Sequence, residues 1–485
     1  MSNPQKIKTR KKFNYLIVAL SVFLVAVYYV YSVFLTTRPL SETGAYVQPA
    51  YTIFTQGGFV SPSSKGILNM DKFTYWIPPL HTFLQVPFYF LIGFGLWQII
   101  TIQTLILLMN VYAVKKFSNF LKISAIIPIA LLLTNRNFLV DSFAARPDTI
   151  ATFFGTISIL SLLSLLHLQK SQEKKKFNIY LFLTGISLGF SILSYQLAGL
   201  YAIAISIFLL ISRQLKLLVK ILAISMIIVL PYVFYILVAP QIFWLQTIGI
   251  YRTTERVNIS EIVKTEFLRY VDFTFYAPGF AFLFLFSLYK GLNDLKNIKM
   301  KGLNSINKEI MLIILTIMTF LITFFFMTHK ISFTMILVMP LMALLIGYYV
   351  KDIKIITVAV LVNVFFALLN VYVNLPMSTN PSFLSFSKTI SDKTSGTVLT
   401  YDTFFPILKE KLFSYQSITY AKLLGTNVTQ LVENVQPSYI VLQWDDELKS
   451  ELIGNYKLEF NVTRNQPSLL SGSVDRTLQV FQRIT

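Results

Sequence analysis

Apolar stretches of roughly twenty residues, nearly free of charge, recur from near the N-terminus to about residue 375. A helix of that length crosses the ~30 Å hydrocarbon core of a bilayer, and inside that core only helices and closed barrels satisfy their own backbone. The pattern predicts spans at about 14–36, 96–114, 123–143, 149–167, 178–195, 197–212, 221–239, 271–288, 310–328, 332–350 and 355–375, about eleven in all. The first is too long for a signal-peptide core and has no small-residue cleavage pattern behind it, so it is read as retained. Only 13% of the residues are charged and 55% are hydrophobic, which excludes a disordered chain or an ordinary cytosolic enzyme. With no cysteine there is no disulfide framework, thiolate metal site or thiol nucleophile.

A net charge of +20 invites a nucleic-acid partner until its placement is checked. Residues 376–485 hold about ten basic and ten acidic side chains, so the whole excess lies before them. One apolar segment, 79–95, decides the orientation of everything that follows. If it does not cross, about 22 Lys/Arg of the membrane portion fall on the N-terminal side and 10 on the other; if it crosses, the split becomes about 12 and 20. The positive-inside bias selects the first arrangement. The segment is therefore read as re-entrant or interfacial, the N-terminus as cytoplasmic and the C-terminus as extracytoplasmic. The protein is expected in the cell membrane as a multi-pass chain with no nucleic-acid partner.

This topology collects the unusual residues on the outer face: Glu42 in the first loop, Asp141, Arg146 and Asp148 in the second, Arg252, Glu255 and Arg256 in a later one, and His329 with Lys330 in a very short one. Ionisable groups at the membrane edge are costly to keep there and point to a functional site. Each also has a plain structural reading: a capping or solvated glutamate, snorkelling cations, and an aspartate stabilising a helix start after Pro147.

From about residue 376 the apolar runs stop and Ser, Thr, Asn and Asp rise. The tail, 376–485, reads as a separate extracytoplasmic α/β unit after a membrane domain of 1–375. Its expected strands are 397–401, 439–443, 457–462 and 478–483, with helices at 405–413 and 428–435.

The order of motifs resembles the GT-C superfamily of polyprenyl-phosphate-sugar glycosyltransferases, which includes the aminoarabinose transferases and protein O-mannosyltransferases. Ser41-Glu42-Thr43-Gly44-Ala45-Tyr46 running on to Gly57 is similar to a first-loop motif in which an Asp-Glu pair precedes an aromatic and then a Gly. In that register Glu42 takes the Asp position and Thr43 the Glu position, so one carboxylate is kept, a methylene longer, and its partner is lost. Tyr75-Trp76-Ile77-Pro78-Pro79-Leu80 resembles the family's Pro-Pro-Leu segment that opens a juxtamembrane helix. Ala145-Arg146-Pro147-Asp148 resembles its second-loop motif, and His329-Lys330 with Phe333 and Pro340 its late basic motif. The resemblance implies about eleven transmembrane helices in a GT-C-like arrangement. It also implies transfer of a hexosyl or pentosyl group, with inversion, from a polyprenyl-phosphate-linked sugar to a lipid, glycan or protein acceptor.

Such a reaction needs a base for the acceptor hydroxyl and cations for the departing phosphate. Glu42 is the candidate base; Arg146 and Lys330 are the candidate phosphate ligands, with Asp148, Tyr46 and His329 in support. Replacing either cation by alanine is expected to weaken donor use and leave the fold intact. The oxygen and imidazole ligands also leave a divalent metal ion open, held by Glu42 and Asp148 with His81 or His329. The competing class is a transporter or lipid flippase. It predicts related halves with helices broken near the midplane, and the sequence shows no such repeat.

Overall fold

A computed structural model describes residues 4–35, 43–64, 69–169, 173–249, 277–301, 308–326, 332–373, 383–393, 396–401, 404–414, 428–443, 455–468 and 472–484, with a few isolated positions between them. Among these, seven helices are long and apolar enough to cross a membrane, or eight if one sharply bent pair counts as a single span. The chain opens with α1 (Pro4–Val30), continued by a π turn over Tyr31–Leu35, and then α2 (Thr43–Gln56), α3 (Pro79–Ile92) and α4 (Leu96–Phe120). The Tyr29 and Thr101 hydroxyls, 3.0 Å apart, hold the C-terminal end of α1 level with the N-terminal end of α4. The chain between them therefore returns to the end it left. Helix α3 has 14 residues, short of the ~20 needed to span; it starts on Pro79 and stops at Gly93, whose φ of 78° suits glycine alone.

The region expected as one span at 123–143 is two helices, α5 (Ile126–Leu133) and α6 (Arg136–Phe143), bent by 69°. The break falls at Asn135, whose side chain accepts from the backbone N–H groups of Asn137 and Phe138 and so starts a new helix in place of continuing the old one. Next come α7 (Pro147–Leu168), α8 (Lys174–Ser194), α9 (Gly199–Ile211), α10 (Leu215–Val238), the short α11 (Pro240–Trp244), α12 (Pro278–Lys301), α13 (Lys308–Phe326), α14 (Met339–Tyr349) and α15 (Ile353–Val373). Residues Ser332–Leu337 are a 3₁₀ turn, so the expected helix at 332–350 begins seven residues late.

Small residues let the helices approach. A Cβ on Gly185 or Gly189 of α8 would lie within 2.7 Å of Ile224 or Ile228 of α10, and one on Gly279 would strike the Ala359 backbone of α15. With no water to expel inside a bilayer, such close backbone packing is the main source of helix association. The helices alternate in direction. One end carries the N-termini of α4 and α7, the Gln196–Ala198 turn before α9, and the C-termini of α1, α10 and α15. The other carries the Lys115/Lys116/Lys122, Lys174/Lys175/Lys176, Arg213/Lys216/Lys220 and Lys351/Lys354 clusters.

After α15 the chain forms α16 (Phe383–Lys393), β1 (Val398–Thr400), α17 (Phe405–Leu408), β2 (Leu412–Ser414), α18 (Val428–Val435), β3 (Tyr439–Gln443), β4 (Tyr456–Ser468) and β5 (Gly472–Arg483). The sheet order is β2-β1-β3-β5-β4, with β1 parallel to both neighbours and β5 antiparallel to both of its own. A single helix was expected over 405–413. Instead α17 ends at Lys409 (φ 49°) and the chain turns into β2, so that Phe405 and Leu408 face the membrane helices while Phe413 enters the sheet core. Phe405 packs against Tyr51 of α2 at 5.5 Å and Phe94 at 6.1 Å, and Lys409 Nζ sits 6.0 Å over the Phe94 ring. This seam seats the C-terminal unit on the same loop helices that lead to the ionisable cluster.

Candidate functional site

Three of the sequence candidates meet in one place. Residues 144–146 form the turn between α6 and α7, and within it Ala145 is fully buried at φ 53°, a left-handed conformation that an alanine adopts at a cost of about 1–2 kcal/mol. Arg146 then caps α7 with extended backbone, Pro147 takes the first helical position where no N–H is needed, and Asp148 lies in the first turn. The Arg146 guanidinium folds onto the Asp148 carboxylate: Nε donates to both oxygens and Nη2 to Oδ2, all at 3.1 Å. Arg146 is 2% exposed and Asp148 is fully buried.

Tyr46, on the first turns of α2, places its ring 5.5 Å from Arg146 Cζ, a cation–π contact in a water-poor site. Trp76 packs on Tyr46 in turn, the two ring centroids 5.4 Å apart. Around this column the α7 start is tied down on several sides. Asn110 of α4 donates to the Thr149 carbonyl at 2.9 Å, Thr149 Oγ1 donates to the Arg146 carbonyl, and Thr152 Oγ1 donates to the Asp148 carbonyl. Thr152 also reaches the Ile336 carbonyl, and Tyr201 the Leu337 carbonyl, so the 3₁₀ segment that follows the His329-Lys330 motif packs one turn below Asp148.

Glu42, His329 and Lys330 lie outside the described residues, as do Arg252, Glu255 and Arg256. Asp141 is buried on α6, the helix that leads into the turn. As a metal ligand Asp148 fits poorly, because the guanidinium already engages both of its oxygens. His81, considered as a further ligand, is buried in α3 beside Gln85, whose Nε2 lies 3.1 Å from a ring nitrogen; burial pushes its pKa down to about 3, which keeps the imidazole neutral. Among the described residues no three His, Asp or Glu gather as a metal site. The arrangement can therefore present a directed guanidinium against the Tyr46 ring, with Trp76 packed on that ring in turn, at the start of α7.

Sequence reasoning missed the mount that holds the Trp76 segment. The Tyr75 N–H donates to Gln246 Oε1 at 2.8 Å while Gln246 Nε2 donates to the Phe73 carbonyl at 2.9 Å. The Tyr235 hydroxyl accepts from the Thr74 N–H, the Tyr232 hydroxyl donates to the Tyr75 carbonyl, and Gln196 Nε2 donates to the Trp76 carbonyl at 2.8 Å. Only isolated glutamines and tyrosines at helix ends stand in the sequence for these contacts.

Comparison with known proteins gives the same picture at the level of the fold. Residues 77–244 match the family model described as dolichyl-phosphate-mannose-protein mannosyltransferase. ArnT from Cupriavidus metallidurans, solved bound to undecaprenyl phosphate, superposes with a TM-score of 0.65 over 96% of this chain and 97% of that one, at 14% identity. The archaeal oligosaccharyltransferase AglB from Archaeoglobus fulgidus, solved with an inhibitory peptide and a dolichol-phosphate, superposes with a TM-score of 0.54 over 95% of this chain and 74% of that one, at 11% identity. No curated protein matches the chain in sequence. At these identities the likeness is one of fold, which the chain shares over nearly its whole length with both structures.

Proposed function

From a multi-pass membrane chain with the GT-C glycosyltransferase fold, we propose a transferase that moves a sugar from a polyprenyl-phosphate donor to an acceptor on the extracytoplasmic face. The observation that carries this reading is the buried Arg146–Asp148 pair under Tyr46, set where α2, the α7 start and the C-terminal unit converge. Asp148 fixes the plane of the guanidinium, and Arg146 offers directional N–H donors to the donor phosphate. Because Asp148 already compensates the charge of Arg146, the proposal assigns the net positive charge at the phosphate to Lys330, with His329 beside it in sequence. Glu42 acts as the base.

In the reaction the acceptor hydroxyl oxygen attacks the anomeric carbon as the bond from that carbon to the phosphate oxygen breaks. The electron pair leaves with the phosphate, the acceptor proton goes to the Glu42 carboxylate, and the anomeric configuration inverts. The sugar is a hexose or pentose, and the acceptor is a lipid, glycan or protein. No step in this scheme is routed through a metal.

The reading requires the site end of the bundle to face away from the cytoplasm, as the basic clusters at the opposite end support. The chain has no cysteine, so a single one can be introduced without competition. Lys457→Cys, at an exposed position of β4, should react with an impermeant maleimide in intact cells or spheroplasts. Labelling that appears only after lysis would reverse the orientation and remove the proposed function with it.

A further inference from the structure

We infer that Trp76 binds the sugar of the donor, its indole N–H donating to a sugar hydroxyl. This deepens the glycosyltransferase reading and rests on it. The indole Nε1 is buried yet has no hydrogen-bond partner among the described residues, although Trp76 as a whole is partly exposed. A buried indole N–H normally finds an acceptor, because an unpaired one has lost its water and gained nothing in return. The carbonyls of Phe73, Tyr75 and Trp76 and the N–H groups of Thr74 and Tyr75 are each held by a side chain from α10, from the turn before α9 or from the π turn Leu245–Gly249 after α11. Five contacts fix the backbone that carries one indole, which is the preorganisation a binding group needs.

The spacing identifies what that group would meet. Tyr46 lies between the guanidinium and the indole, 5.5 Å from Arg146 Cζ and 5.4 Å from the Trp76 ring. In a sugar phosphate ester the sugar ring is bonded directly to the phosphate, so a phosphate at Arg146 carries its sugar to within a few ångströms of the two aromatic rings. An aromatic face with one neutral N–H at its edge suits a ring of hydroxyl and C–H groups; a phosphate oxygen is better served by the cation already present.

Two probes separate the outcomes: polyprenyl phosphate, and the glycosylated polyprenyl phosphate extracted from cells lacking this protein. The parent protein, purified in nanodiscs, should bind the glycosylated lipid about tenfold more tightly than the bare one. Trp76→Phe keeps an aromatic ring against Tyr46 and removes the N–H. It should bind bare polyprenyl phosphate unchanged and lose the preference for the glycosylated form to within twofold. Benzothienylalanine at position 76, which keeps both rings and replaces only the N–H, should behave alike and serves if the phenylalanine variant misfolds. Retention of the preference in these variants overturns the assignment, and so does an equal loss toward both lipids, which would mark a phosphate contact or plain packing. If the parent protein binds neither lipid, the glycosyltransferase reading itself fails.

Discussion

Glu42→Gln should bind the lipid-linked donor as the parent protein does and turn it over roughly a hundredfold more slowly, or worse. Glutamine keeps the size and hydrogen bonding of the side chain, but at neutral pH it accepts no proton. A loss confined to turnover is what removal of a base produces, whereas loss of a binding contact raises KM. The placement of Glu42 rests on sequence: it directly precedes Thr43, the first residue of α2, and Tyr46 of the same helix touches Arg146. Glu42→Asp restores the residue usual in the resembling family but withdraws the carboxylate by one methylene, and partial activity is expected. Single-turnover assays with a purified donor measure both. Parental turnover in Glu42→Gln would remove it as the base and pass the role to another carboxylate of the outer face.

The second large effect is on stability as well as on activity. Sequence alone implied that Arg146→Ala would leave the fold intact. The structure changes that expectation, because Asp148 is fully buried and its guanidinium partner is the group that neutralises it. Arg146→Ala leaves a buried carboxylate without its guanidinium, and Asp148→Ala takes from the guanidinium the carboxylate that engages it through two oxygens. Each should lower stability by about 3–5 kcal/mol. The double variant, Arg146→Ala with Asp148→Ala, removes both charges of the pair and should recover most of that stability without recovering transfer. Thermal unfolding in detergent, followed beside donor binding, gives both readouts. Single variants as stable as the parent would contradict the ion pair, and an active double variant would take Arg146 out of the mechanism.

Much of this architecture is legible in the sequence because bilayer depth and hydropathy leave few alternatives. The length of 79–95 and the charge count together indicate a segment that does not cross, and the helix found there, α3, has 14 residues, fewer than a span needs. Arg146-Pro147-Asp148 reads as a helix start, and it is one. What hydropathy cannot report is a helix that stops while the residues stay apolar. Residues Ser332–Leu337 form a 3₁₀ turn whose Ile336 and Leu337 carbonyls are taken by Thr152 and Tyr201, whereas the break between α5 and α6 is marked in the sequence by the polar run Thr134-Asn135-Arg136-Asn137, with Asn135 as the cap of α6. The 405–413 stretch carries helical spacing, yet the chain turns at Lys409 into β2, where Leu412 faces the core shared with Phe405 and Leu408 and Phe413 faces the other. At the site, Trp76 is held by Gln196 and Gln246, 120 and about 170 residues further along the chain, a separation at which no local pattern exists to be read.

The central claim is that this chain consumes a polyprenyl-phosphate sugar. Mass spectrometry of the lipids of a strain lacking the protein, complemented in turn with the parent and with Glu42→Gln, tests it most directly. The account predicts that a glycosylated polyprenyl monophosphate accumulates in the deletion strain, falls on complementation with the parent, and stays high with Glu42→Gln although the variant is present in the membrane. A lipid profile in which no polyprenyl-phosphate sugar differs among the three strains would contradict it.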